Sequence, residues 1–111
     1  MKILVIIGLG ASALLLSSPA ARAAAPDSWK AHCASCHGDD GAGQTKMGRK
    51  LGVKDLTDGA YQKTFTDDQL FRNLKEGETG SDGKVKMKPF ADKLPDDDIK
   101  ALVGYVRTLA K

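Results

Sequence analysis

One run, Cys33-Ala34-Ser35-Cys36-His37, constrains this chain more than any other stretch. Two thiols three positions apart can each add to a vinyl group of haem, and the histidine that follows is then held beneath the iron; C-x-x-C-H is the pattern of a c-type haem attachment site. Other uses of a C-x-x-C pair meet obstacles here. A zinc site needs two more good ligands, yet the chain has no further cysteine, and its only other histidine, His32, directly precedes Cys33. A thioredoxin-like dithiol belongs in a βαβ pattern, which this sequence lacks. A structural disulfide is the remaining alternative. The run is therefore read as binding one haem c, attached covalently through Cys33 and Cys36, with His37 as the proximal iron ligand.

The chain of 111 residues opens with Met1-Lys2, an almost unbroken apolar run from Ile3 to Leu16, and a break at Ser17-Ser18-Pro19 before Ala20, Ala21 and Ala23. That is the pattern of a secretory signal peptide. A helix of about fourteen residues is about 21 Å long, short of the roughly 30 Å hydrocarbon core, so no stable membrane span is expected after processing. Ala21-Arg22-Ala23 supplies an A-x-A site, and cleavage after Ala23 is predicted, giving a leader over 1–23 and one small domain over 24–111. No cysteine follows the apolar run at lipoprotein spacing. Export implies a periplasmic or thylakoid-lumen-like compartment.

Of the 88 residues that would remain, 31 are apolar and nine of those are alanine. So thin a core needs a buried porphyrin to complete it, and the chain without haem should be poorly folded. Removing Lys2 and Arg22 leaves 15 basic against 14 acidic residues. A balance near +1, with few aromatics and no basic-aromatic interleaving, argues against nucleic-acid binding.

Pro26-Asp27-Ser28 reads as a helix start with Asp27 or Ser28 as N-cap, and Trp29 and Cys33 should share a face of that helix, Trp29 packing on another helix. His32 is read as solvent-facing. Gly38 to Gly43 is a loop, and Lys46 to Lys54 continues it, with Leu51, Val53 and Leu56 able to touch a haem edge; Lys46, Arg49 and Lys50 either bind a propionate or face water, the latter favoured. Thr66-Asp67-Asp68-Gln69 is a capping box opening a helix of about ten residues that stops at Gly77. The stretch from Gly77 to Lys88 reads as a flexible connector, since one short alternating run at Val85 and Met87 has no partner with which to form a sheet. A last helix starts near Asp96 and runs to about Ala110, with Ile99, Leu102, Val103, Val106 and Leu109 on one face and Gly104 permitting close approach to the first helix.

Taken together, Trp29, Cys33, Cys36, His37, Met87 and Tyr105 resemble a class I cytochrome c of the small soluble monohaem bacterial or photosynthetic type, and the resemblance covers the whole chain after residue 23. It implies an all-α small cytochrome c fold, with three to five short helices wrapped around one covalently bound haem and a Trp29–Tyr105 contact between the first and last helices. It also implies a sixth iron ligand from a late methionine. Met87, before Pro89 and Phe90, fits that role better than Met47, which sits among Lys46, Arg49 and Lys50. Two departures stand out: no proline follows His37 to help hold it, and Pro95 occupies the usual Ser/Thr cap position, leaving Asp96 as the substitute.

The function implied is one-electron carriage between redox partner proteins, with no enzymatic activity and a monomeric state. Ligation by His and Met favours a relatively high potential. Lys84, Lys86 and Lys88 would steer an acidic partner, or else form a merely solvated loop. The alternatives are a haem subunit of a larger oxidoreductase complex and, more remotely, a haem peroxidase.

Overall fold

The computed structural model describes Gly8 and residues 15–111, so most of the expected leader lies outside the described residues. Six helical segments and one two-stranded ribbon occur among those residues, one helical segment more than expected. Two of the six, α2 (Ala34–His37) and α4 (Gly59–Gln62), are single turns.

The first helix, α1 (Pro19–His32), starts well before the expected caps Asp27 and Ser28. Ser18 caps it instead, its hydroxyl accepting from the Ala21 N–H at 3.2 Å. The alanine-rich stretch before Pro26 has the highest helix propensity of any residue type, which offsets the one hydrogen bond that Pro26 cannot donate. Ala21 and Ala25 on this stretch are buried with Ala101 of the last helix, against Tyr105. Tertiary contact thus extends the helix past the proline.

The last helix, α6 (Asp96–Thr108), buries its predicted stripe: Ile99, Leu102, Val103 and Val106 are each no more than 3% exposed. Trp29 is buried against it, its ring centroid 5.5 Å from that of Tyr105. The expected aromatic contact between first and last helices is present. Gly104, however, is exposed, with open space where a side chain would stand, so the close approach of α1 and α6 rests on the small residues Ala21, Ala25 and Ala101. Asp96 does not replace the missing cap either: Pro95 is the N-cap and no side chain bonds the helix start. Asp96 instead pairs with Lys75 at 3.1 Å.

The 46–54 stretch is only partly a loop, because α3 (Lys46–Leu51) forms within it, capped by Thr45 and ended by Gly52 in the left-handed region. The capping box is present as expected: Thr66 accepts from the Gln69 N–H and Gln69 accepts from the Thr66 N–H, opening α5 (Asp67–Glu76), with Gly77 as its C-cap. The 77–88 connector is corrected as well. Val85–Met87 (β2) does have a partner, Glu78–Thr79 (β1), in an antiparallel ribbon that sets Glu78 opposite Met87. No helix among the described residues is long and apolar enough to cross a membrane.

Candidate haem site

The C-x-x-C-H run lies where α1 ends. Cys33 closes α1 and opens α2, its own N–H still bonded to the Trp29 carbonyl at 2.8 Å, and the His37 N–H bonds the Cys33 carbonyl at 2.9 Å. Residues at i, i+3 and i+4 share one face of a helical turn, so Cys33, Cys36 and His37 point the same way. All three border one cavity of about 780 Å³, within the range of small-ligand and cofactor sites.

The loop after the motif fixes its backbone. Thr45 Oγ1 donates to the Cys36 carbonyl at 2.6 Å, the Gly43 N–H to the His37 carbonyl at 2.8 Å, and Trp29 Nε1 to the Gly38 carbonyl at 3.0 Å. Gly48 explains why α3 contains a glycine: a Cβ there would run into the carbonyls of Cys36 and Gly43. Three successive carbonyls are thereby satisfied, and α3 seats directly against the turn.

Both thiols are free. Burial, with a smaller contribution from neighbouring Cys36, pushes the Cys33 thiol up to about 11, the reverse of the activation a redox dithiol requires. His37 is shifted down by burial and so is held neutral. Its Nδ1 is buried without a hydrogen-bond partner. No cluster of three or more His, Cys, Asp or Glu side chains suited to a metal ion exists among the described residues.

The rest of the wall is supplied from every other element. Leu51, Val53 and Leu56 line it, as their sequence position suggested; Met47 reaches it from α3 and Met87 from β2. Met87 is half-buried, whereas Met47 is 45% exposed. His32 is exposed at the rim, edge-on to Phe90 with centroids 5.7 Å apart. Lys46, Arg49 and Lys50 are exposed and absent from the wall, whose basic residues are Lys54, Lys86, Lys88 and Lys93.

Residues not singled out from sequence complete the enclosure. Tyr61 and Phe65 line the cavity and stack edge-on, and burial, then the Glu78 charge, raises the Tyr61 phenol above its ordinary range. Beneath them Gln62, 4% exposed, donates from Nε2 to the Leu56 carbonyl at 2.6 Å and the Val106 carbonyl at 2.8 Å. Arg107 donates to the carbonyls of Gln62 and Phe65 and pairs with Asp67. Gln62 and Arg107 thus tie the 56–65 wall to α6. A buried glutamine in a short turn offers no local signal that would have revealed this.

Free thiols, a neutral imidazole and a thioether around one largely apolar cavity form a donor set suited to haem c. A helical shell of this kind, with a C-x-x-C-H turn in its wall, defines a c-type cytochrome, a haem-bearing electron-transfer component. A family model described as cytochrome c oxidase, cbb3-type, subunit III matches residues 20–106, and the chain belongs to that family. It is 34% identical over 92 residues to the cbb3-type cytochrome c oxidase subunit FixP of Azorhizobium caulinodans, covering 83% of this chain and 28% of the relative. The FixPc subunit of Rhizobium leguminosarum bv. viciae is 32% identical over 78 residues, 70% of this chain and 24% of the relative. The chain therefore spans about a quarter of the length of these curated relatives. Among solved structures, the KustC0563 c-type cytochrome superposes with a TM-score of 0.68 at 32% identity, covering 78% of this chain and 98% of that one.

Proposed function

We propose that the chain carries one haem c, joined by thioethers to Cys33 and Cys36 and ligated by His37 and Met87, and that it is a one-electron carrier outside the cytoplasm rather than an enzyme. The observation that carries this reading is the convergence of Cys33, Cys36, His37 and Met87 on a single cavity. When bound, haem supplies an iron that alternates between ferrous and ferric states. The chain's own part is to hold that group at four points and to keep water from it with Trp29, Leu56, Leu74 and Phe90. A thioether ligand in an apolar wall favours the ferrous state and a relatively high potential. An enzyme would instead need a labile sixth position and distal acid-base residues; the cavity's own histidine besides His37 is His32, exposed at its rim.

The leader over 1–23, the 24–111 domain and a monomeric state belong to the same proposal; cleavage after Ala23 would remove the Ser18 cap and Ala21, leaving Ala25 in the cluster with Ala101. A second reading, that the chain works as a subunit within a larger complex, is favoured by the names of its relatives, which are oxidase subunits. Size-exclusion chromatography of native extract separates the two: a free carrier elutes near its own mass, and a subunit elutes with its complex. For the ligand set, Met87→Ala should abolish the sulfur-to-iron charge-transfer band of the ferric protein, lower its potential and open the iron to added ligands, while Met47→Ala changes none of these. A Met87→Ala protein that keeps the band, with Met47→Ala losing it, would reverse the assignment.

A further inference from the structure

Met87 lies on a two-stranded ribbon, a structure only marginally stable by itself, so something else must hold it at the cavity. The chain on both sides of Met87 is tied to the C-terminal end of α5. Glu78, just beyond that helix, stands opposite Met87 in the ribbon, and further on the Phe90 N–H bonds the Leu74 carbonyl at 3.0 Å and the Ala91 N–H the Lys75 carbonyl at 3.2 Å. Between these ties lies Gly77. Its backbone has φ 78° and ψ 179°, a region that essentially only glycine populates. A Cβ at this position would stand 2.6 Å from the Met87 carbonyl oxygen, 2.8 Å from the Pro89 nitrogen and 3.1 Å from the Lys88 carbonyl carbon. All three are backbone atoms, so none can rotate aside as a side chain would.

We infer that Gly77 is the positioning residue for Met87: the bare Cα lets the 87–89 backbone lie flat on the end of α5, and that seating sets how far Met87 reaches into the cavity. Opening the 2.6 Å contact to the 3.4 Å at which ordinary contact begins moves this backbone by about 0.8 Å. The ties at Phe90 and Ala91 hold one end still, so the displacement falls on Met87 and its strand. A ligand bond to iron is sensitive to shifts of that size, since a site about 1 Å too loose is commonly a failed one. The inference rests on Met87 being the sixth ligand, and its own contribution is the dependence of that ligation on a glycine ten residues away.

The test compares haem-loaded Gly77→Ala with Gly83→Ala. Gly83 has the same φ of 78°, but a Cβ there meets nothing within 4 Å. Gly77→Ala should keep its covalent haem and its helical circular dichroism while losing the charge-transfer band and part of its potential. Its affinity for added imidazole should rise about tenfold or more as the methionine-off state becomes populated. Gly83→Ala should match the parent protein in all five readings. Should Gly77→Ala yield no loaded protein, Gly77→Asn is the second variant: it carries the same Cβ, and asparagine is the side chain found more often than most at positive φ, though chiefly in the left-handed α region, so it too is strained at ψ 179°. A Gly77 variant with the parental band, in a protein whose Met87→Ala variant loses it, overturns this inference alone. Equal loss in Gly83→Ala overturns it too, and a Met87→Ala variant that keeps the band overturns the ligand reading and this inference together.

Discussion

Replacing Gln62 by leucine isolates the hydrogen bonds that fasten the cavity wall to α6. The two side chains are similar in size, so little of the effect comes from lost packing. What is lost is the Nε2 donor, together with the Oε1 acceptor that Arg107 reaches only at 3.4 Å. The Leu56 carbonyl, which Gln62 reaches at 2.6 Å, has no second donor, whereas the Val106 carbonyl, at 2.8 Å, also accepts from the Leu109 N–H at 3.1 Å. A buried carbonyl left without a partner costs about 1–3 kcal/mol, and losing one of two bonds about 0.5–1.5 kcal/mol. The expected loss is therefore about 3 kcal/mol, a large share of a total stability of about 5–15 kcal/mol. For a domain of this size that lowers Tm by about 12–24 °C. Thermal unfolding of the haem-loaded ferric protein, followed by far-ultraviolet circular dichroism, measures it. Lys75→Ala is the comparison: its ion pair with Asp96 is 3.1 Å long, but the side chains are 40% and 56% exposed, and such pairs contribute about 1 kcal/mol or less. A fall in Tm below about 4 °C for Gln62→Leu, or one no larger than that of Lys75→Ala, would refute the reasoning.

Two further outcomes are expected. Cys33→Ser combined with Cys36→Ser should leave no haem on the chain after denaturing electrophoresis, and persistent haem stain would remove the basis for covalent attachment. Changing Lys84, Lys86 and Lys88 to glutamine takes the 24–111 segment from 15 basic residues to 12 against 14 acidic, and should slow electron transfer with acidic partners by about tenfold at low salt, with the difference vanishing at high ionic strength. Unchanged rates at low ionic strength would mean that the three lysines only solvate the loop.

Legibility followed sequence distance. The C-x-x-C-H turn, the Thr66–Gln69 capping box and the stripe from Ile99 to Val106 are each settled within one to three helical turns, and each reads directly. Where structure depends on remote partners the reading fails. The ribbon is not legible because the partner strand of Val85–Met87, Glu78–Thr79, is two exposed polar residues without any alternation. The helix α3 does not show in its sequence because Lys46 to Leu51 is charged and contains a glycine; that glycine is there to fit against the Cys36 carbonyl, a contact twelve residues back. Gly104 was assigned a close approach that Ala21, Ala25 and Ala101 make instead, since small residues on either helix serve equally and sequence cannot choose between them. Gln62 and Arg107 act across 45 residues.

The distribution of apolar residues explains why a chain with so few can hold one fold. Trp29, Ile99, Leu102 and Val103 bury one another where α1 crosses α6, and that crossing needs only the polypeptide. Leu51, Val53 and Val85 line the cavity from α3, the loop after it and the ribbon, while Met87 packs on the crossing from the ribbon. The backbone ties from Thr45 and Phe90 hold these segments around a cavity of about 780 Å³. The proposed haem, held at Cys33 and Cys36 and met by Met87, would join the crossing and these segments. On the proposed reading, attachment through thioethers would do more than retain a redox group: it would let the short α1–α6 crossing and the cavity segments share a single core, which 31 apolar residues alone are too few to build.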